Sequence, residues 1–334
     1  MPLVSVILPT RDRYDLSVGA IDNVLQQTIP EFEIIVIEDG SKCGIKDYIN
    51  KLNDNRLYYY SHNRRKGLAA ARNSGTRFAR GKYVAFMDDD ERWLNDKLEL
   101  QYNLIKNYDL DEIMIYCGNL RMDNNGNWKE YIPSARGKML PQFFNGYIIS
   151  SSCIMIKRSI ILSLGGHSEN LMSCIDHDFW LKLSHADFKM DYVPKGLVYT
   201  VKHNHMRMMD NTDERIKGIM KFFNKWKNIV KREAGENAWQ KIEDTYHIQT
   251  SRMLVKKYKE GRIQKRNLIV EIQNLFDIQQ RSFSWLDVFL IRYGKIHLTP
   301  IYTSKIKFIE SSIRFIKRNF IEYKRKIYDK RKWN

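Results

Sequence analysis

Lys82-Tyr83-Val84-Ala85-Phe86-Met87-Asp88-Asp89-Asp90-Glu91 is the stretch on which the reading of this chain turns. A short apolar, β-prone run empties into four consecutive acids, and Arg92-Trp93-Leu94 follows. Adjacent carboxylates repel one another, so four of them at the end of a buried strand call for a countercharge. A hard divalent cation that also binds phosphate oxygens supplies one. Side chains alternate along a strand, which turns Asp88 and Asp90 to one side and Asp89 to the other. In isolation, the same acids read as a solvated turn. The neighbouring sequence decides between the two.

Upstream, Leu3-Val4-Ser5-Val6-Ile7-Leu8 is a β-branched run closed by Pro9, which predicts a buried strand. The polar loop Thr10-Arg11-Asp12-Arg13 follows, and Leu16, Ala20, Val24 and Leu25 then space as a helix that stops before Pro30. Phe32-Glu33-Ile34-Ile35-Val36-Ile37 predicts a second strand, ending in Glu38-Asp39-Gly40-Ser41. A helix over Ile45–Leu52 leads to a third strand, Leu57-Tyr58-Tyr59-Tyr60. Gly67 opens another helix that runs to Ala79 and ends at Gly81. Strands alternating with helices at this spacing predict a parallel sheet with crossover helices. Ligands of such sheets collect at the carboxyl ends of the strands. Here those ends carry Thr10 to Asp12, Glu38-Asp39 and Asp88 to Asp90, so three polar clusters converge on one edge. That convergence favours a site over a solvated turn.

Beyond the acids, Asp96 to Tyr108 predicts a helix and Glu112 to Gly118 a strand. Asp123-Asn124-Asn125-Gly126 is a hairpin-turn signal. Ser152-Cys153-Ile154-Met155-Ile156 predicts a buried strand. Ile175-Asp176-His177-Asp178-Phe179-Trp180 opens a helix whose first-turn acids also suit the positive helix end. Leu197 to Lys202 predicts a last strand, delivering His203-Asn204-His205.

The net charge of +17 is unevenly spread. Residues 1–210 hold 27 Lys and Arg against 26 Asp and Glu, whereas residues 211–334 hold 29 against 13. The first part reads as a neutral, enzyme-like domain and the second as a basic, mainly helical region drawn to anionic surfaces. In that region Ile306, Ile309, Ile313, Ile316, Phe320, Tyr323 and Ile327 form one apolar stripe among lysines and arginines. Such a helix can pack on a core, pair with a second copy, or lie on an anionic bilayer. Four scattered cysteines without a Cys-x-x-Cys pair fit a reducing cytoplasm and argue against a zinc or disulfide framework. No signal peptide is expected before the first strand, and the longest uncharged run, Met139 to Ile156, is too polar to span a bilayer.

With these motifs in place, residues 3–210 resemble the family 2 glycosyltransferases. The resemblance is carried by Ser5 to Thr10, Ile37 to Ser41, Gly67 with Ala71-Arg72-Asn73-Ser74-Gly75, Ala79 to Tyr83, and the Asp88 to Asp90 triplet with Trp93. It implies the α/β GT-A fold, a Rossmann-like, mostly parallel sheet flanked by helices. A donor half would occupy about residues 1–110 and an acceptor half about 111–210, with the basic helical region 211–334 behind them.

By position, the resemblance implies that Asp39 accepts from the donor's nucleobase imide, that Asp88 lies near the ribose, and that Pro9, Thr10, Arg11 and Asp89 belong to the nucleotide side. Arg72 and Asn73 would approach the donor phosphates from the start of their helix. Asp90 would ligate Mn²⁺ or Mg²⁺, with His203 or His205 against the same ion. Asp176 matches the catalytic base, although Ile175 stands where the family usually carries Glu. Asp178 is the second candidate, and with Trp180 it would lie on the acceptor side. Arg11 replaces an aromatic that stacks on the base in some members. Without Gln-x-x-Arg-Trp or transmembrane helices, the chain departs from processive synthases.

The implied activity is inverting transfer of one sugar from a nucleotide-diphosphate sugar, of UDP type, to a hydroxyl of a glycan or lipid-linked glycan. The implied place is the cytoplasmic face of the plasma membrane, with bacterial surface polysaccharide as the product class. Nucleotidyltransferases also set metal-binding acids on an α/β sheet, but they begin with a glycine-rich loop, and Leu3 to Asp15 has no glycine. The remaining alternative is a basic membrane- or nucleic-acid-binding protein with an inactive transferase-like domain. Nucleic acid is not the expected partner, because the basic excess lies away from the ligand edge.

Overall fold

In the computed structural model, β1 (Val4–Thr10) and β2 (Phe32–Asp39) are buried along their whole length. Continuous burial without alternation marks strands covered on both faces. The structure describes residues 1–108, 113–122, 126–132, 134–139, 149–201, 203, 212–259 and 261. With β3 (Leu57–His62) and β4 (Tyr83–Phe86), these strands form a parallel array in the order β3-β2-β1-β4. Val4 stands beside Phe32 on one side and Tyr83 on the other. Helices α1 (Tyr14–Leu25), α2 (Ile45–Leu52) and α3 (Leu68–Phe78) make the crossovers. Gly75 lets α3 lie directly on β1, since a Cβ there would come within 2.4 Å of Ile7.

β4 stops at Phe86, so the acidic run forms the connection to the short strand β5 (Glu91–Trp93) rather than a strand end. After it come α4 (Lys97–Ile105), β6 (Ile113–Met122), β7 (Trp128–Tyr131), β8 (Gly137–Lys138), β9 (Ile154–Lys157), α5 (Arg158–Ser163), α6 (Ile175–His185) and β10 (Lys189–Thr200). β9 enters antiparallel between β4 and β6, and β10 runs parallel to β6. β5 pairs antiparallel with the end of β10, setting Glu91 opposite Thr200. The sheet is thus parallel in its first half and mixed in its second. β6 and β7 pair antiparallel on either side of the expected hairpin turn, whose Asp123 to Asn125 lie outside the described residues.

Two further helices, α7 (Thr212–Ala234) and α8 (Glu236–Lys259), follow. Their apolar faces, with Phe222, Phe223, Trp226, Trp239 and Tyr246, close over Leu181 of α6 in a second core. By compactness the first unit runs Met1–Met253 and the second Leu254–Asn334. The stripe from Ile306 to Ile327 lies outside the described residues. Among the described residues no helix is long and apolar enough to cross a membrane.

Candidate active site

Asp39 ends β2 with a side chain only 8% exposed. Its Oδ1 accepts from the Lys66 amide at 2.8 Å and lies 2.7 Å from His62 Nδ1, and its Oδ2 accepts from the Gly67 amide at 2.7 Å. Burial works to raise its pKa, but these bonds outweigh it and hold the carboxyl below its ordinary value. Asp39 thereby ties the end of β2 to the start of α3. Gly67, at φ +98, is the hinge that presents the amide.

Pro9 and Thr10 are buried at the end of β1, and Arg11 is exposed and pairs with Asp12 at 3.2 Å. Thr10 donates to Asp89 Oδ2 at 2.9 Å, and Arg13 Nη1 donates to Asp89 Oδ1 at 2.8 Å. Asp89 is thus a buried staple between the β1 loop and the acidic segment. The same Arg13 Nη1 lies 3.9 Å from Asp90 Oδ2, so Asp89 and Asp90 share it, and the expected strand alternation does not separate them.

Arg72 is the centre of the arrangement. It lies in α3 with a side chain 1% exposed, and its guanidinium reaches two acids at once. Nη2 donates to Asp88 Oδ1 at 2.8 Å, and Nη1 donates to Asp176 Oδ1 at 2.7 Å and to Ser151 Oγ at 3.0 Å. Ser151 donates in turn to Asp176 Oδ1 at 2.6 Å. Ser152 Oγ accepts from the Asp88 amide at 3.1 Å, fixing the acidic segment against the turn before β9. For Asp176, burial pushes the pKa up, but Arg72 and Ser151 outweigh it and hold the carboxyl below its usual value. For Asp88, burial prevails over Arg72 and, with the charge of Asp176, raises the pKa. Both bonds to Asp176 land on Oδ1, and the side chain is 34% exposed, so Oδ2 faces outward.

Asp90 Oδ2 lies 3.0 Å from His203 Nε2, brought there as the Val201 amide donates to the Asp90 carbonyl at 2.8 Å. Glu91 Oε2 is buried without a hydrogen-bond partner, and burial, then the charge of Asp88, pushes the Glu91 pKa up to about 8. Asp88, Asp90, Glu91 and Asp176 therefore crowd one corner, with Arg72 bonded to Asp88 and Asp176 and Arg13 3.9 Å from Asp90. An orphaned carboxylate oxygen and an Asp–His pair fit a divalent cation, which such carboxylates hold together with substrate phosphates and water. Among the described residues, no three His, Cys, Asp or Glu form a complete cage. His205 lies outside the described residues.

Three expected site residues are engaged elsewhere. The Asn73 amide donates to the His167 carbonyl at 2.9 Å and to Glu169 at 2.8 Å, and accepts from the His167 amide at 2.8 Å. Those bonds leave it clamping a loop rather than facing a phosphate. Asp178 is fully buried and accepts from Ser168 at 2.6 Å, Lys225 at 2.5 Å and Trp226 at 2.8 Å. A buried carboxylate needs such partners, and they turn it away from the open side of the site. Trp180 is 2% exposed and donates to the Ile149 carbonyl at 3.1 Å, which makes it a core residue. Arg13, Ser151, Ser152 and Glu91 join the site without having been singled out. Only Glu91, inside the acidic run, carried a signal in the sequence.

A family model described as "Glycosyl transferase family 2" matches residues 5–165. An uncharacterised glycosyltransferase of Rickettsia bellii is 32% identical over 183 residues, 54% of this chain but 26% of that protein. The Escherichia coli UDP-Glc:alpha-D-GlcNAc-diphosphoundecaprenol beta-1,3-glucosyltransferase WfaP is 35% identical over 106 residues, 32% of this chain and 42% of that protein. The alignments thus span less than half the length of either relative. Among solved structures, S. aureus TarS 1–349 in complex with UDP-GlcNAc superposes with a TM-score of 0.54 at 15% identity, over 84% of this chain and 93% of that one. At that identity the likeness bears on the fold alone, and it is the GT-A fold. Residues 5–165 of this chain are thus similar to glycosyltransferase family 2.

Proposed function

We propose that this protein transfers one sugar from a nucleotide-diphosphate sugar to a hydroxyl of a glycan or lipid-linked glycan, with inversion. The observation that carries this reading is Arg72, whose buried guanidinium spans Asp88 and Asp176 beside the Asp90–His203 pair. A UDP-sugar donor is supported by the name of WfaP and by the UDP-GlcNAc complex of TarS. The diphosphoundecaprenol acceptor in the name of WfaP supports a lipid-linked acceptor. The positive excess of residues 211–334 supports work at an anionic membrane surface, on its cytoplasmic face.

Pro9, Thr10 and Arg11 border the nucleotide, Asp39 accepts from the base, and Asp88 meets the ribose. Asp90 and His203 would hold Mn²⁺ or Mg²⁺, which would supply charge neutralisation to the leaving diphosphate. Asp176 takes the acceptor's proton on Oδ2 as the hydroxyl oxygen attacks the anomeric carbon and the bond to the diphosphate breaks. Arg72 and Ser151 hold Oδ1, keeping the base ionised and aimed. Asp89 and Asn73 support the site from behind. Thermal-shift screening of nucleotide sugars with and without Mn²⁺ tests the reading. One donor should stabilise the protein in a metal-dependent way, and no response to any nucleotide sugar would overturn it.

A further inference from the structure

The first turn of α6 is gripped from two sides. Arg72 and Ser151 hold Asp176 from the sheet. From the other side, α7 and α8 reach the residues that flank it. The Tyr246 hydroxyl, fully buried on α8, hydrogen-bonds His177 Nδ1 and the Cys174 thiol. On α7, Lys225 Nζ at 2.5 Å and Trp226 Nε1 at 2.8 Å both donate to Asp178 Oδ1. The α7 backbone sits close by. A Cβ on Gly218 would come within 2.7 Å of the Ser173 amide nitrogen, and Ser173 donates to the Arg215 carbonyl at 2.9 Å.

Apolar packing alone would let α6 rotate or slide by small amounts, because such contact is not directional. Hydrogen bonds are directional, and buried polar groups left unpaired carry a penalty. Here polar bonds land on residues 174, 177 and 178, on both sides of residue 176. Cys174 itself sits at φ +61, a left-handed conformation that an ordinary side chain adopts only when its surroundings impose it.

We infer that Tyr246 and the Lys225–Trp226 pair are positioning residues for Asp176, making α7 and α8 part of the catalytic apparatus. The inference rests on the transferase reading for its kinetic consequence, but its structural content can be measured without substrate.

The test uses the full chain with Tyr246→Phe, and with Lys225→Met as a second variant at a partly exposed position should the first fail to fold. Hydrogen exchange at the amides of Asp176 to Phe179 should quicken at least about tenfold, while exchange in β1 and β2 stays unchanged. In transfer assays below the melting temperature, kcat should fall about 10- to 100-fold with donor KM within about twofold, since a misplaced base costs turnover rather than donor binding. The acid limb of the pH–rate profile should move upward as Asp176 loosens from Arg72. Unchanged exchange in the first turn of α6, or wild-type kcat in a variant with a lowered melting temperature, would overturn the inference. A wild-type protein inert toward every nucleotide sugar would instead count against the transferase reading, and the exchange result would still decide the positioning.

Discussion

Arg72 Nη1 and Asp176 Oδ1 stand 2.7 Å apart, while the same guanidinium holds Asp88 at 2.8 Å. One buried cation thus joins an acid of the β4–β5 connection to an acid at the start of α6, two parts of the chain that meet only in the fold. The two carboxyls respond in opposite directions, Asp176 downward and Asp88 upward.

Arg72→Lys keeps the charge but cannot fork between two carboxylates. It should lower kcat about 10- to 100-fold, a loss on the scale of misdirected general-base catalysis. Because Arg72 depresses the Asp176 pKa, weakening that contact raises it, so the acid limb of kcat/KM should shift to higher pH. A wild-type pH profile would contradict the shared role of the guanidinium.

Asn73→Ala removes both bonds to the His167 backbone. Two buried groups left unpaired cost about 1–3 kcal/mol each, so the melting temperature should drop by several degrees. Calorimetry should meanwhile find nucleotide affinity unchanged in the folded variant. Lost affinity at unchanged stability would return Asn73 to the donor phosphates.

His167 is 2% exposed, stacked on Phe179 at 4.4 Å and 21°, and neither ring nitrogen has a hydrogen-bond partner. Burial, then the charge of Arg72, pushes its pKa from the ordinary 6.5 down to about 3. The unfolded chain therefore binds this proton more readily, and stability drains as pH falls through that window. The slope is about 1.4 kcal/mol per pH unit for one proton. His167→Phe should remove this share. Its stability advantage over wild type should grow by about 1.6 kcal/mol between pH 6.5 and 5, read by chemical denaturation. Parallel pH curves would contradict it.

His203→Ala and Asp90→Asn each remove one of the two proposed metal ligands. Donor affinity measured with and without chelator should become nearly metal-independent in both. An undiminished response to Mn²⁺ would move the ion elsewhere.

How much of this was legible beforehand follows from sequence distance. β1 and β2 announce themselves as β-branched runs and β4 as a short apolar one, and their carboxyl ends located Asp39 and the acidic segment. The expected alternation of Asp89 against Asp88 and Asp90 does not carry over, because the segment is a connection and not a strand and Arg13 lies against both Asp89 and Asp90. What the residues could not disclose is pairing across the fold. Asp89 meets Arg13, and Asp178 meets Lys225 and Trp226, through approaches that no local pattern encodes. Asn73 looks like a phosphate ligand by its place at a helix start, yet its amide is spent on the His167 backbone. The antiparallel entry of β9 was equally hidden, because an apolar run carries no direction.

The most direct test of the account is the turnover of Asp176→Asn beside its donor affinity in Mn²⁺, once the donor is known. The substitution keeps the shape and removes the base, so kcat should fall about 10²–10⁴-fold while the donor binds as before. Turnover equal to wild type would contradict the central claim.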